Sequence, residues 1–336
     1  MIVITGAAGF IGSCMIRHLN ESGRHDLVLV DDFPVTPVEI CHGESLQDVK
    51  YLEKIPRDLF FDWLELNHPK VDFILHFGTE TTAGLLDENL LREYNLEFSQ
   101  RLWSFAAMNR IPLLYAASSV NADWHWSGKM QAGERSIQST PSPKLSEHIP
   151  ENSRIVCERM KRQFDQWVLK QRVTPPLWAG FAMPEVYGPY EAYLGASASS
   201  VFHLFRQWQK EGRMVIPLFE NSESSDNEPK QDRIFVKDVV TVFIWFINHL
   251  PASGFYYLGT GYPRPMSAVA AAIFSALKLP PKVEYQLVSS SEFLPLQDKN
   301  PLPLNRVNRV GYKKNFTPLE KGVRLYVKNF LEKYLF

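Results

Sequence analysis

The first twelve residues, Met-Ile-Val-Ile-Thr-Gly-Ala-Ala-Gly-Phe-Ile-Gly, constrain the fold more than any other stretch. Ile2, Val3 and Ile4 make a short apolar run suited to a buried strand, and Gly6, Gly9 and Gly12 follow at once. The pattern then turns helical through Met15, Ile16 and Leu19. A spaced glycine triplet means little alone; between a strand and a helix it gains a mechanical meaning. Gly6 permits a tight turn, Gly9 lets the backbone approach a pyrophosphate, and Gly12 lets the helix pack close on the strand. The helix then presents its positive end to the phosphates. Residues 27–30 read as a second strand ending in Asp31-Asp32, where a carboxylate meets the adenosine ribose hydroxyls. With no Lys or Arg from there to Lys50, a 2′-phosphate would meet uncompensated negative charge, which favours NAD over NADP.

Downstream, apolar runs alternate with helical patterns. The spacing predicts a third strand at Asp48-Val49, a helix over 56–66, a strand over 71–76, a long amphipathic helix over 89–108 and a strand over 111–117. A helix over 155–171, a strand over 176–183, a turn at Val186-Tyr187-Gly188-Pro189 and a helix over 197–211 follow. Short strands at 234–236 and 256–258 and helices over 265–277 and 318–334 complete the chain. That rhythm predicts an α/β fold of Rossmann type, a doubly wound parallel sheet with a smaller C-terminal α/β lobe. Residues 1–175 form the dinucleotide half and 176–336 mainly the substrate lobe, the two interleaved. Residues 121–150, with Trp124, His125 and Trp126, break the rhythm and read as a long functional loop.

The balance of charges narrows the partners. Lys and Arg number 36 against 37 Asp and Glu, which gives no electrostatic case for nucleic acid or an anionic membrane. Cys14, Cys41 and Cys157 are too scattered for a metal site or a disulfide framework and suit a reducing compartment. The apolar run 239–247 is too short to span a bilayer, and strand one opens the chain with no leader ahead of it. The expectation is a cytoplasmic protein without a metal.

These pieces, in this order, resemble an extended short-chain dehydrogenase/reductase, the superfamily of nucleotide-sugar epimerases and dehydratases. The matching motifs are Gly6-Ala-Ala-Gly-Phe-Ile-Gly12, Asp31-Asp32, Leu114-Tyr-Ala-Ala-Ser-Ser119, Val186-Tyr-Gly-Pro189, Phe235-Val-Lys-Asp-Val239 and Leu258-Gly-Thr-Gly261. Ile111-Pro-Leu-Leu-Tyr-Ala116, Phe202-His-Leu204, Leu218-Phe-Glu-Asn-Ser222, Trp245-Phe246, Gly311-Tyr312 and Gly322-Val323 are similar to the ADP-glycero-manno-heptose 6-epimerase family within it. The resemblance implies a tightly held nicotinamide cofactor, NAD or, as in similar epimerases, NADP. It also implies a nucleotide-sugar substrate, a role in surface-polysaccharide or nucleotide-sugar metabolism, and a homo-oligomer formed through residues 89–108 and 155–171. It carries cofactor contacts onto Gly6, Gly9, Phe10, Ile11, Gly12, Asp31, Asp32, Asp48, Val49, Phe77, Gly78, Thr79, Asn95, Lys161 and Val186. Substrate contacts fall on Ser119, Glu185, His203, Phe219, Glu220 and Gln231.

The acid/base half of the pattern is broken. Similar enzymes place a tyrosine four residues before a lysine, which lowers the phenol's pKa from about 10 so that it takes the alcohol proton as the hydride leaves. Lys161 stands in the lysine position and Ser118 in that of the assisting serine, yet four residues before Lys161 is Cys157. None of the 13 tyrosines has a lysine four residues on. The second base expected in the heptose family falls on Leu194, the phosphate-binding arginine on Gln231 with Arg233 two residues on, and an asparagine on Glu185. Three functions fit this pattern. The chain is a binding or regulatory homologue with the family chemistry lost; or it is an active epimerase or another oxidoreductase with altered chemistry, using Cys157, His125 or Lys129; or it is a structural relic. A thiol beside a lysine can move a proton, so Cys157 does not by itself exclude turnover; the loss of both bases favours the first.

Overall fold

The computed structural model describes residues 1–33, 46, 48–79, 88–118, 153–192, 194, 198–219, 228, 230–288 and 305–334. Its strands, in chain order, begin with β1 (Ile2–Thr5), β2 (Leu27–Asp31), β3 (Glu53–Pro56), β4 (Phe73–His76), β5 (Leu113–Ala116), β6 (Trp178–Ala182) and β7 (Glu185–Tyr187). They continue with β8 (Met214–Phe219), β9 (Lys230–Gln231), β10 (Arg233–Phe235), β11 (Gly254–Tyr257), β12 (Arg264–Pro265), β13 (Val283–Val288) and β14 (Asn305–Arg306). The central sheet is eight-stranded and parallel, in the order β14-β11-β6-β5-β4-β1-β2-β3. The chain runs outward from β1 to β3, then jumps back across β1 to β4. The crevice at that reversal, beyond the carboxyl ends of β1 and β4, is where such sheets bind ligands.

The central strands read as unbroken apolar runs because both of their faces are buried. Ile2, Ile4, Leu27, Leu29, Leu75 and Leu114 enter one core. Their neighbours Val3, Val28, Val30, Ile74, Leu113 and Tyr115 enter the other, as the two-residue strand period requires. The first core is covered by α1 (Phe10–Glu21) and by a later helix, Val236–His249, which the sequence reading took only as an apolar run. The second is covered by α2 (Phe60–Asn67), α3 (Glu88–Arg92), α4 (Phe98–Met108) and α5 (Ser153–Val168). A π-helical turn, Glu93–Glu97, joins α3 to α4, so the long helix expected over 89–108 is continuous but locally unwound.

The C-terminal lobe has its own core, from α6 (Ser200–Glu211), β8, α8 (Met266–Leu277) and α9 (Leu319–Tyr326), the helix Val236–His249 being α7. Phe10, the first residue of α1, is buried in that lobe core, so the lobe rests directly on the glycine loop. Two expectations are corrected. Asp48 is an exposed residue with φ 59°, not a strand; the third strand is β3, an edge strand with only Ile55 buried, whose alternation is too weak to read. Val186 and Tyr187 lie in β7, which pairs with β10, and the turn begins only at Gly188. The parallel pair β8 and β13 has no counterpart among the expected strands. No helix among the described residues is long and apolar enough to cross a membrane, and no group of three metal-ligating side chains occurs there.

Candidate functional site: a dinucleotide crevice and a buried polar corner

The glycine loop is tight for stated reasons. Gly6 has φ +70°, and a Cβ there would lie 2.5 Å from the amide nitrogen of Gly78, in the loop after β4. A Cβ at Gly12 would lie 2.0 Å from the carbonyl oxygen of Gly6. Helix α1 begins after Gly9 with no side-chain cap and no acidic residue in its first turn, which leaves the approach open to an anion. Asp31, at the carboxyl end of β2, ties the loop to the sheet: its Oδ2 accepts from the Ala8 amide at 2.7 Å, and its Oδ1 from the Asp32 amide at 2.8 Å. Phe33, Val49 and Phe77 line the same region as half-buried apolar residues packed on the first core. Thr79 Oγ1 donates to the Phe77 carbonyl at 3.4 Å, and Val186 packs half-buried between the sheet and the lobe. Asp32 forms an ion pair with Arg57, whose guanidinium stacks 3.5 Å over the Tyr94 ring. The negative charge expected to stand uncompensated at the ribose end is therefore partnered, by a residue that arrives from the turn just after β3 rather than from nearby in sequence.

Across β1 from Asp31, the ends of β4 and β5 carry a second set of polar groups. Asp165 of α5 is fully buried and accepts from the Ser118 amide at 2.8 Å and from the Tyr115 hydroxyl at 3.2 Å. Burial pushes its carboxyl up to about 7. Ser118, enclosed itself, donates from Oγ to Glu158 Oε2 at 3.2 Å, and Glu158 Oε1 lies 3.6 Å from Lys161 Nζ. Ser118, Glu158 and Lys161 thus form one group. Cys157, one helical turn before Lys161, is 2% exposed and packs in the apolar stripe with Met160, Phe164 and Val168 against the second core. Near this corner His76 is buried, with Nδ1 2.6 Å from Thr5 Oγ1 and Nε2 2.9 Å from Ser99 Oγ. Ser99 in turn donates to the carbonyl of the buried Asn95 at 2.7 Å. Burial, and then the positive charge of Lys161, push the His76 imidazole down to about 3.

On the lobe side, Glu185 and Arg233 face each other on β7 and β10 and pair at 2.7 Å. The Arg233 side chain is 2% exposed and also donates to Ser200 Oγ and to the carbonyls of Gln231 and Arg264. Gln231 lies in β9 and meets Arg233 through its backbone. His203 is exposed on α6, Leu194 packs against the lobe core, and Phe219 ends β8. Asp232 accepts from the Tyr257 hydroxyl at 2.6 Å and from the Gly261 amide at 2.7 Å, holding the Gly-Thr-Gly turn. Ser119, Glu220, His125 and Lys129 lie outside the described residues.

Sequence reasoning missed Glu158, Asp165, Arg57 and Glu191. The Glu158–Lys161 pair was available as a three-residue helical spacing. Glu191 had no local signal, because its partners, the Gly188 and Ser199 amides, are defined only by the fold.

A parallel sheet reversing at β1/β4, a glycine loop with no room for a Cβ at Gly6 or Gly12, an uncapped helix start and a carboxylate at the end of β2 define a dinucleotide-binding protein of the Rossmann type. The residues present fit such a cofactor, with Gly6, Gly9 and the start of α1 toward the pyrophosphate and Asp31 toward the adenosine ribose. Residues 2–259 match the NAD dependent epimerase/dehydratase family, and the chain belongs to it. It is 29% identical to an ADP-L-glycero-D-manno-heptose-6-epimerase of Fusobacterium nucleatum over 99% of this chain and 98% of that one. Its fold matches the Helicobacter pylori enzyme of the same name at TM-score 0.67, with 22% identity over 98% of this chain and 95% of that chain. It also matches the Bordetella bronchiseptica enzyme WbmH, solved with NAD+, at TM-score 0.66 and 18% identity over 99% and 98% of the two chains.

Proposed function

We propose that this protein holds NAD across the β1/β4 crevice and a nucleotide sugar against the C-terminal lobe. It acts as a binding or regulatory homologue of the ADP-heptose epimerases, with the tyrosine-dependent proton transfer lost. The observation that carries this reading is position 157. A bound NAD supplies a hydride acceptor for an alcohol carbon, but the hydroxyl proton also needs an acceptor. Here the tyrosine's place is taken by a thiol packed in the apolar stripe of α5, an environment typical of an inert structural cysteine. Leu194 stands where the second base would be and packs on the lobe core. Losing positioned acid/base groups costs about 10²–10⁴ in rate for each step they serve. Arg233 supports the same reading, because Glu185 already occupies its guanidinium. Homo-oligomer formation belongs to this proposal, supported by Leu90 and Met108, exposed apolar residues at the two ends of the α3–α4 helix; light scattering measures it.

The test is cofactor content by mass spectrometry, then incubation with ADP-heptose and other sugar nucleotides with epimer analysis of each. Bound NAD without turnover is expected, with product regained in the double variant Cys157→Tyr with Leu194→Lys. Product formed by the wild type and lost in Cys157→Ala, or lost in Glu158→Gln, overturns the reading and assigns an altered enzyme. Absence of any cofactor overturns it in favour of a structural role.

A further inference from the structure

Glu158 occupies a place in the crevice that nothing in the family pattern assigns to it. Its carboxylate joins Ser118 Oγ at 3.2 Å and Lys161 Nζ at 3.6 Å, and the two charged side chains are 15% and 16% exposed. This group stands at the carboxyl ends of β4 and β5, on the opposite side of β1 from Asp31. A dinucleotide lying across the reversal places one mononucleotide half on each side. With the adenosine at Asp31, the nicotinamide half belongs on the side of Ser118, Glu158 and Lys161.

Nicotinamide is a pyridinium cation when oxidised and neutral when reduced. A fixed charge beside it therefore discriminates between the two forms, and most strongly where water is scarce. Lysine alone favours the neutral, reduced ring. Glu158 offsets that lysine charge, while among the described residues His76 is held neutral and Asp165 is pushed toward its protonated form and spent on the Ser118 amide. We infer that Glu158, by cancelling the charge of Lys161, shifts the preference of the crevice toward the oxidised cofactor, so that occupancy of this protein responds to the NAD+/NADH balance. The inference rests on the reading that the crevice holds NAD, and it gives the binding function its regulatory content.

The experiment measures dissociation constants of NAD+ and NADH, by calorimetry, for the wild type, Glu158→Gln and Lys161→Met. Glutamine keeps the size of the side chain and its hydrogen bond to Ser118 while removing the charge. The expected result is a ratio of NAD+ to NADH affinity about tenfold lower in Glu158→Gln than in the wild type. Lys161→Met shifts the preference the other way, toward NAD+, and tests the charge independently should the glutamine variant fold poorly. An unchanged ratio in both variants, or equal weakening of both ligands, means that Glu158 only packs the site and overturns the inference. Failure of the wild type to bind either form overturns the cofactor reading itself, and this inference with it.

Discussion

Ser99 Oγ donates to the Asn95 carbonyl, so toward His76 it can only accept. That assigns the imidazole proton to Nε2 and makes Nδ1 the acceptor for the Thr5 hydroxyl. The ring is a neutral brace between β1, β4 and α4. With its pKa held near 3 against an ordinary 6.5, the unfolded chain binds a proton that the folded chain refuses. Stability therefore falls as pH drops from about 6.5 toward 3, by on the order of 5 kcal/mol in all. Glu191 acts in the opposite sense. Burial outweighs its bonds to the Gly188 and Ser199 amides and raises the carboxyl from 4.5 to about 7. Its contribution is complete below pH 4.5 and is lost as pH climbs through 7, about 3 kcal/mol at most. Urea unfolding from pH 4.5 to 8 measures this. Relative to Glu191→Gln, the wild type loses stability steadily with rising pH; a flat difference across the window means that the carboxyl is not buried as described.

At the scale of elements, the paired strands β7 and β10 decide how the lobe treats an anion. Their register sets Glu185 against Arg233, and the guanidinium is spent inside the lobe. Glu185→Asn frees that charge. It raises affinity for a nucleoside diphosphate sugar while lowering stability by about 3–5 kcal/mol, because a buried cation loses its partner. Parallel calorimetric titration and thermal melts show whether the two effects separate; unchanged affinity means that Arg233 does not face the ligand. The strands differ in how far they could be read. β1, β2, β4, β5 and β6 announce themselves as apolar runs because both faces are covered. β3 has three exposed residues in four and β7 only three residues, too few for a period to appear, whereas β10, equally short, overlaps the strand expected at 234–236. The site divides in the same way. The glycines carry a spacing that has meaning by itself, and Lys161 and Ser118 were placed by resemblance. Glu158 and Arg57 act through partners, Ser118 and Asp32, that lie 40 and 25 residues away in sequence.

For the molecule as a whole, the question is whether a nucleotide half exists apart from a substrate half. The packing says that it does not. β6 and β11 extend the central sheet beyond β5, and both come after residue 175. Helix α7, also after residue 175, covers the first core, with Phe243 centred 4.9 Å from Phe77 and 4.4 Å from Phe181. Phe10 leaves the glycine loop to join the lobe core. Each half is thus built partly from the other. A fragment ending at residue 175 exposes the β5 edge and uncovers one face of the sheet, which invites edge pairing and aggregation. The full chain is expected to unfold in one cooperative transition, with fluorescence and circular dichroism midpoints coinciding, and the 1–175 fragment to remain unfolded or aggregated. Two separated transitions, or a soluble fragment that binds NAD, would show instead that the glycine loop and its sheet stand without the lobe, and that the interlocked halves are a docking of two independent units.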